Sequence, residues 1–454
     1  ASGHALAEQL PGFLGAEGRR RYFFGASTPA ESRGTGGLIG SYTILTVDDG
    51  QLAFGDFKAS SGLPKFPPEQ LAAPSRDYAE RYDRFGGAGF ISNLNLTPDF
   101  PSAATAIETL YERATGDEVD GTIVADPFAL RALLRLTGPV EFPRLGDVDA
   151  DNVVDVVANT AYEAFDDPAR RQAVLGDVSV AVLGRFLDGG GQRSPVTTMR
   201  ALADAAGDGH LLLHARDNRT QRAFVRANVA GRLLDPGGDY LSVVVNNGAG
   251  NKIDYYAQRR VRYRAALAED GTVLGTATVR LRNGAPARGE RYILGPYDDR
   301  FEAGENVSLT SLYGPAGAEL TSFRRGRDLA AVGVGDELGH PVWTDTVRLG
   351  SGEAATLGWA WRLADGWEGT PERGTYRLTL QGQTTIRPTR LSLAVDLPPG
   401  VRVTSMTPGL RMREGRVTYE GRLRDRTQFE VRFEQPPLDR WSERIRGFLS
   451  QPLF

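Results

Sequence analysis

The hydrophobic pattern of this chain changes period part-way along, and that change limits the folds open to it. Up to about residue 235, strand-like runs alternate with helical segments. Ser102 caps a strong helix whose apolar positions Ala103, Ala106, Ile107, Leu110, Tyr111 and Ala114 recur at i, i+3, i+4. A strand at Val119 to Ala125 follows, then a helix from Phe128 to Leu136 closed by Gly138-Pro139. Further helices are expected at about 150–165, 168–188, 195–206 and 220–234, with a strand at His210 to Ala215. This alternation predicts an α/β domain, a parallel sheet covered by helices. From Asp254 onward strand-like runs recur with turn residues between them, as at Thr272–Val279, Tyr376–Leu380 and Leu391–Val395. Their spacing predicts antiparallel β-sandwich modules, two of them, divided near Gly350-Ser351-Gly352. An amphipathic helix from Leu438 to Leu449, with Trp441, Ile445 and Phe448 on one face, is expected to close the chain. The predicted organisation is a lead-in (1–20), an α/β domain (21–250), sandwiches at 251–350 and 351–436, and a C-terminal helix (437–454).

Composition narrows the function classes. The 454 residues are 41% hydrophobic and 24% charged, as in a globular protein, and are long enough for two or three domains. A net charge of −4 argues against a broad nucleic-acid-binding surface. The absence of cysteine removes disulfides, thiolate metal sites and cysteine nucleophiles. No apolar run approaches the ~20 residues of a membrane helix. The chain begins at Ala1, so an upstream segment removed by processing or trimming is expected, which leaves room for a membrane anchor there. The oligomeric state is left open. Nearly all basic residues are arginine, and Lys58, Lys65 and Lys252 are the three lysines. A compact ammonium enters tight sites that a planar guanidinium does not.

Candidate site residues fall in four places. The run Ala30-Glu31-Ser32-Arg33-Gly34-Thr35-Gly36-Gly37-Leu38-Ile39-Gly40-Ser41-Tyr42 reads as a glycine-rich loop feeding a buried strand, with backbone N–H groups open to an anion. Arg33 suits a phosphate or carboxylate, although an ordinary turn with a Glu31–Arg33 surface pair fits the same residues. Asp99 stands in an irregular segment with Asn93, Asn95 and Thr97, whose polar groups suit sugar hydroxyls. It is the candidate acid, base or nucleophile, with Glu31 as partner carboxylate; the competing reading is a helix-capping aspartate. Asp56 and Lys58 share a strand face, either to bind substrate or simply to pair. Asn246, Asn247, Asn251, Lys252 and Asp254 form a polar loop where the halves meet, and pockets favour such junctions, though a linker turn explains it equally. No metal site is expected: His210 and His214 are four apart but enclose Leu211–Leu213, a buried strand. Trp343, Trp359, Trp361 and Trp367 suit sandwich core packing, with sugar stacking a minor alternative.

Taken in order, Arg33–Tyr42, Asn95-Leu96-Thr97-Pro98-Asp99-Phe100-Pro101, Val119–Pro127, Leu136-Thr137-Gly138-Pro139-Val140 and Asn246–Tyr256 resemble an actinobacterial family of unknown function. That family is similar in turn to the LytR-CpsA-Psr domain, an extracytoplasmic α/β domain that transfers glycan from a polyprenyl-pyrophosphate carrier to the cell wall. The resemblance implies an envelope polysaccharide as substrate and an outside-facing location. One departure changes the expected chemistry. Where the relative has a metal-binding aspartate just before the strand at Ile44–Val47, this chain has Gly40-Ser41-Tyr42-Thr43.

The resulting expectation is an extracytoplasmic carbohydrate-active enzyme acting on an arabinan or arabinogalactan by glycosyl transfer or transglycosylation. Asp99 and Glu31 are its catalytic candidates, and Arg33, Asp56, Lys58, Asn93, Asn95, Asn247, Asn251 and Lys252 its substrate-binding candidates. No cofactor is expected. The alternatives are an endo-acting glycoside hydrolase, a phosphoglycan transferase using a polyprenyl-pyrophosphate donor, which would bring Mg²⁺, and a non-catalytic glycan-binding protein.

Overall fold

The computed structural model describes residues 2–165, 167–187, 195–370, 372–424 and 426–436. The expected helix over 437–454 lies outside the described residues. The lead-in is a helix, Ser2–Phe13, whose Phe13 packs on Tyr22 and Phe224.

The first half is built on β1 (Arg20–Arg33), β2 (Gly36–Asp48), β3 (Gln51–Phe54), β4 (Lys58–Ala59) and β5 (Gly121–Ala125). A small hairpin of β6 (Val140–Phe142) and β7 (Gly146–Val148) stands apart, and β8 (Leu211–Ala215) completes the main sheet in the order β3-β2-β1-β5-β8. Helices Phe100–Thr115 and Asn218–Arg226 cover its faces. The sheet is mixed. Only β1 and β5 run parallel; β1·β2, β2·β3, β2·β4 and β5·β8 are antiparallel. The expectation of a parallel sheet is therefore corrected. A two-residue turn at Gly34-Thr35 folds β1 straight onto β2. The helices between β5 and β8 return the chain beside the end of β5, with Ala125 opposite Leu211. Asp48 to Gln51 forms a tight hairpin, with Asp49 and Gly50 at positive φ.

The second half consists of β9 (Asp239–Asn247), β10 (Gln258–Leu267), β11 (Val273–Arg282), β12 (Asn306–Tyr313), β13 (Glu319–Arg325), β14 (Asp328–Leu329), β15 (Gly333–Glu337) and β16 (His340–Leu349). It continues through β17 (Ala354–Leu363), β18 (Glu368–Thr370), β19 (Arg373–Gln381), β20 (Arg390–Asp396), β21 (Arg402–Met406), β22 (Arg411–Arg413), β23 (Arg416–Arg422) and β24 (Arg426–Glu434). These strands make two eight-stranded sheets, β14-β13-β17-β11-β10-β20-β23-β22 and β15-β16-β12-β9-β19-β24-β21 with β18 beside β19. The expected division into sandwiches at 251–350 and 351–436 does not appear. Strands from both segments share both sheets, joined by the parallel pairs β10·β20 and β9·β19 and by antiparallel β11·β17. One apolar core runs from Leu241 to Phe433. Period-two alternation drives this: in β10, Val261, Tyr263 and Ala265 face the core while Arg260, Arg262 and Arg264 face out. The first-half boundary also moves. Residues 239–247, expected in the α/β domain, are sandwich strand β9. Trp343, Trp359, Trp361 and Trp367 are all buried in the sandwich core, so the sugar-stacking alternative for them fails.

β9 is buried along its whole length. Leu241, Val243 and Val245 enter the sandwich core, while Tyr240 and Val244 pack with Leu233 on the other side. A second tie is Glu337 on β15. Its carboxylate accepts hydrogen bonds from Tyr82 (2.7 Å), Tyr313 (2.6 Å) and Thr97 (2.5 Å) and pairs with Arg81 (3.0 Å).

Asp239, at the head of β9, is fully buried and accepts from the Tyr263 and Tyr376 hydroxyls. Burial raises its pKa to about 6 against the pull of those hydrogen bonds. The folded state therefore holds this proton more tightly than the unfolded state does. Its stabilising contribution is complete below the unfolded value of about 3.9 and is lost as pH rises through about 6. Melting temperatures measured from pH 4 to pH 8 should show a decline that flattens above about 6, and Asp239→Asn should remove that decline.

Candidate functional site

The turn between β1 and β2 is shaped by close packing. A Cβ on Gly34 would meet the carbonyl oxygens of Thr97 and Leu96 at 2.2 and 2.3 Å, and one on Gly37 would meet Thr28 at 2.2 Å. The glycines admit neighbouring backbone; they do not open an anion-binding loop. Asn95 locks the same turn, its Nδ2 donating to Thr35 Oγ1 (3.0 Å) and the Gly37 carbonyl (2.9 Å). Opposite Leu38 and Gly37, β1 carries three extra residues: Thr28 pairs with Leu38 and Ser32 with Gly37, so 29–31 bulge out of the ladder. The bulge presents Glu31.

Glu31 lies in the wall of a cavity of about 570 Å³ between the two halves. Its Oε1 accepts from Arg33 Nη2 at 2.9 Å, and its Oε2 stands 3.8 Å from Lys252 Nζ. All three side chains are buried. Arg33 is fixed by further bonds to the carbonyls of Ser92 (2.9 Å), Ser32 (3.0 Å) and Asn247 (3.3 Å). Lys252 Nζ lies 5.3 and 5.6 Å from the ring centroids of Tyr162 and Tyr292. Burial would lower the lysine, but the Tyr162 phenol and the Glu31 carboxylate outweigh it and hold the ammonium above its ordinary range. The two tyrosines stack at 5.0 Å, and Arg171 covers the Tyr292 ring at 4.0 Å. Phe85 and Phe90 come from the first half, and Tyr297 and Phe301 from the segment between β11 and β12. Lys65 stacks over Phe90 at 4.0 Å. Burial pushes the Tyr297 hydroxyl well above the usual phenol range.

The candidates separate into two groups. Glu31, Arg33, Asn93, Asn247 and Lys252 line the cavity together. Asn251 is buried beneath it, its side chain donating to the Glu305 carbonyl and accepting from Asn247. Asn247 holds its own loop, accepting from Ala249 and Gly250 N–H and donating to Asp254. Asn246, weighed as part of that loop, lines the cavity with an Oδ1 that has no partner. Four candidates, Asn95, Asp56, Lys58 and Asp99, are not brought there. Asn95 serves the turn, and Asp56 and Lys58 are exposed on the surface without pairing to each other.

Asp99 is the main correction. It is the N-cap of helix Phe100–Thr115; Oδ2 accepts from Ser102 N (3.0 Å) and Oγ (2.7 Å), and Oδ1 from Leu233 N (2.9 Å). With both oxygens bonded within the protein and the side chain buried outside the cavity lining, its carboxylate ties the helix to Leu233 and does not face the cavity. His210 and His214 hold Asp126 and Glu108, each at 2.8 Å. Sequence reasoning missed Tyr162, Tyr292, Tyr297 and Phe301. The available signal was the long connection at 283–305, which no hairpin needs and which carries Tyr292, Tyr297 and Phe301.

Residues 17–162 match the family described as "Protein of unknown function (DUF4012)". No curated protein matches the chain. Among solved structures, one described as a nutrient binding protein from Legionella pneumophila aligns with 43% of this chain and 71% of its own, at 8% identity and TM-score 0.30. Leukotriene A4 hydrolase from Saccharomyces cerevisiae aligns with 39% of this chain and 29% of its own, at 9% identity and TM-score 0.25. An M1 zinc metallopeptidase from Deinococcus radiodurans aligns with 39% and 42%, at 11% identity and TM-score 0.22. Likenesses this weak carry no argument about the site.

Asp99→Ala should remove a helix cap and leave the buried Leu233 N–H unpaired. The expected loss is about 2–4 kcal/mol of unfolding free energy, read by urea titration, from about 1 for the cap and 1–3 for the stranded donor. Any activity per folded molecule should be unchanged.

Proposed function

We propose that the junction cavity is the active site of a carbohydrate-active enzyme that transfers glycosyl groups on a cell-envelope polysaccharide. The observation that supports this reading is a buried carboxylate, Glu31, held between two cations in a cavity walled by aromatic rings. Aromatic faces stack on the apolar faces of sugar rings, and Asn93 and Asn246 supply amide groups for hydroxyls. Arg33 occupies one oxygen of Glu31 and fixes its direction; the other faces Lys252 and the cavity. In transfer, the acceptor hydroxyl oxygen bonds to the anomeric carbon, the bond to the departing sugar oxygen breaks, and Glu31 takes the acceptor proton. Lys252 stabilises the charge developing on the departing oxygen and gives it a proton, and Glu31, 3.8 Å from the lysine, passes the acceptor proton on to restore the ammonium, so that the departing sugar leaves as a free hydroxyl. The arabinan-type substrate and the extracytoplasmic location rest on the sequence resemblance alone.

Hydrolysis by paired carboxylates has less support, because Glu31 is the only acid among the described residues lining the cavity. Transfer of a phosphoglycan from a polyprenyl-pyrophosphate donor is a second reading. It is favoured by the excess of cations, since Arg33 and Lys252 face one carboxylate. The donor set does not fit Mg²⁺: a single carboxylate already paired with two cations offers too few oxygen ligands.

The test is incubation with arabinogalactan followed by product mass and linkage analysis. Wild type should yield rearranged linkages, and Glu31→Gln should slow product formation about 10²–10⁴-fold while glycan binding persists. Full activity in Glu31→Gln sinks the assignment. A chelator should leave the rate unchanged, and release of phosphorylated carrier would favour the second reading. Binding with no product in either protein would mark a non-catalytic glycan-binding module.

A further inference from the structure

The outer face of the sandwich carries a second concavity, about 640 Å³, lined almost wholly by arginine. In register across four neighbouring strands, Arg280 on β11 lies opposite Arg260 on β10, Arg260 opposite Arg390 on β20, and Arg390 opposite Arg422 on β23. Arg282 stands beside the row, two residues further along β11 and opposite Gln258. Strand spacing of about 4.8 Å makes the row about 14 Å long. All five arginines are exposed, and none makes an ion pair or side-chain hydrogen bond among the described residues. None of the residues lining the concavity is acidic. Like charges directly opposite one another destabilise a sheet, so this row costs the fold stability. Further along the same face Arg264 and Arg416 are neutralised by sharing Asp396.

We infer that this row is a binding site for an acidic polysaccharide, a chain bearing closely spaced carboxylate or phosphate groups. Guanidinium forks bind such groups through paired hydrogen bonds. In the next rung, Thr278–Arg262–Ser392–Glu420, the Ser392 hydroxyl donates to Glu420 (2.8 Å), and Thr278 and Arg262 offer polar groups to a sugar chain. The lining has no aromatic side chain on which nucleic-acid bases could stack. Of the exposed apolar residues of this sheet, Leu274 and Met412 lie toward its opposite end and Leu329 stands on the edge strand β14, three strands from β11, so none adjoins the row to help it enter a bilayer. β10 and β20 are paired on both sides, so an acidic peptide finds no free strand edge here. The site stands on a different face from the cavity and does not depend on its chemistry.

The probe is polygalacturonate, titrated calorimetrically into the whole chain at low and at physiological salt, beside polyglutamate, oligo-dT and phosphatidylglycerol vesicles. Polygalacturonate should bind most tightly, and more weakly as salt rises. Arg260→Thr/Arg390→Thr should weaken it about tenfold or more while the melting temperature holds or rises. If that variant loses stability, Arg280→Thr/Arg422→Thr reads the same effect. Glu31→Gln should bind polygalacturonate as wild type does, which separates this site from the cavity. Absence of binding, unchanged binding in both arginine variants, or equal or tighter binding of any other probe overturns the inference.

Discussion

The arrangement of both halves depends on the buried carboxylate of Asp254. Its Oδ2 accepts from the Ser32 backbone N–H (3.0 Å) and from Asn247 Nδ2 (2.9 Å); its Oδ1 accepts from Asn306 (3.2 Å) and faces Arg259 at 3.6 Å. Arg259 reaches on to Ser32 Oγ (2.7 Å) and Gln383 (2.7 Å). One charge from the sandwich thereby holds the bulged end of β1, the residue next to Glu31 and the loop that carries Lys252. In a low-dielectric interior such a network rigidifies when every member is satisfied and is costly when one is not. The cavity inherits its shape from that condition.

The cavity is a product of assembly. Glu31 and Arg33 come from a hairpin of the first half, Lys252 from the loop after β9, and Tyr292 and Tyr297 from a connection between sandwich strands. β9 makes this possible because it is buried on both faces, one against the sandwich core and the other toward the first half. Glu337, with Tyr82, Thr97 and Arg81, repeats the device at another point of the junction.

Much was legible in the sequence where the signal is local. Helical spacing located the helix at Phe100–Thr115, and the run at Thr272–Val279 located strand β11. Lys252, one of three lysines in an arginine-rich chain, is buried beside Glu31. The errors share one cause. Asp99 reads the same as a cap or as a nucleophile until the partners of its two oxygens are seen, and Leu233 is 134 residues away. The glycines at 34 and 37 read as a ligand loop until the approaching backbone of Leu96, Thr97 and Thr28 is seen. The two expected sandwiches are one because pairings such as β10·β20 join strands far apart in the chain.

The order of residues alone set the period of each segment, hence helix and strand, a first half in which the two alternate, a strand-rich second half and the polar residues gathered at the junction. These follow from side-chain spacing and backbone propensity, which act within a few residues. Folding in three dimensions set the strand order, spent acids such as Asp99 and Asp254 on caps and ties, and brought Glu31, Arg33 and Lys252 into one cavity while leaving a row of arginines unpaired outside. Those outcomes depend on burial and on partners distant in sequence, and a hydrogen bond to a distant backbone N–H leaves no mark on the local pattern.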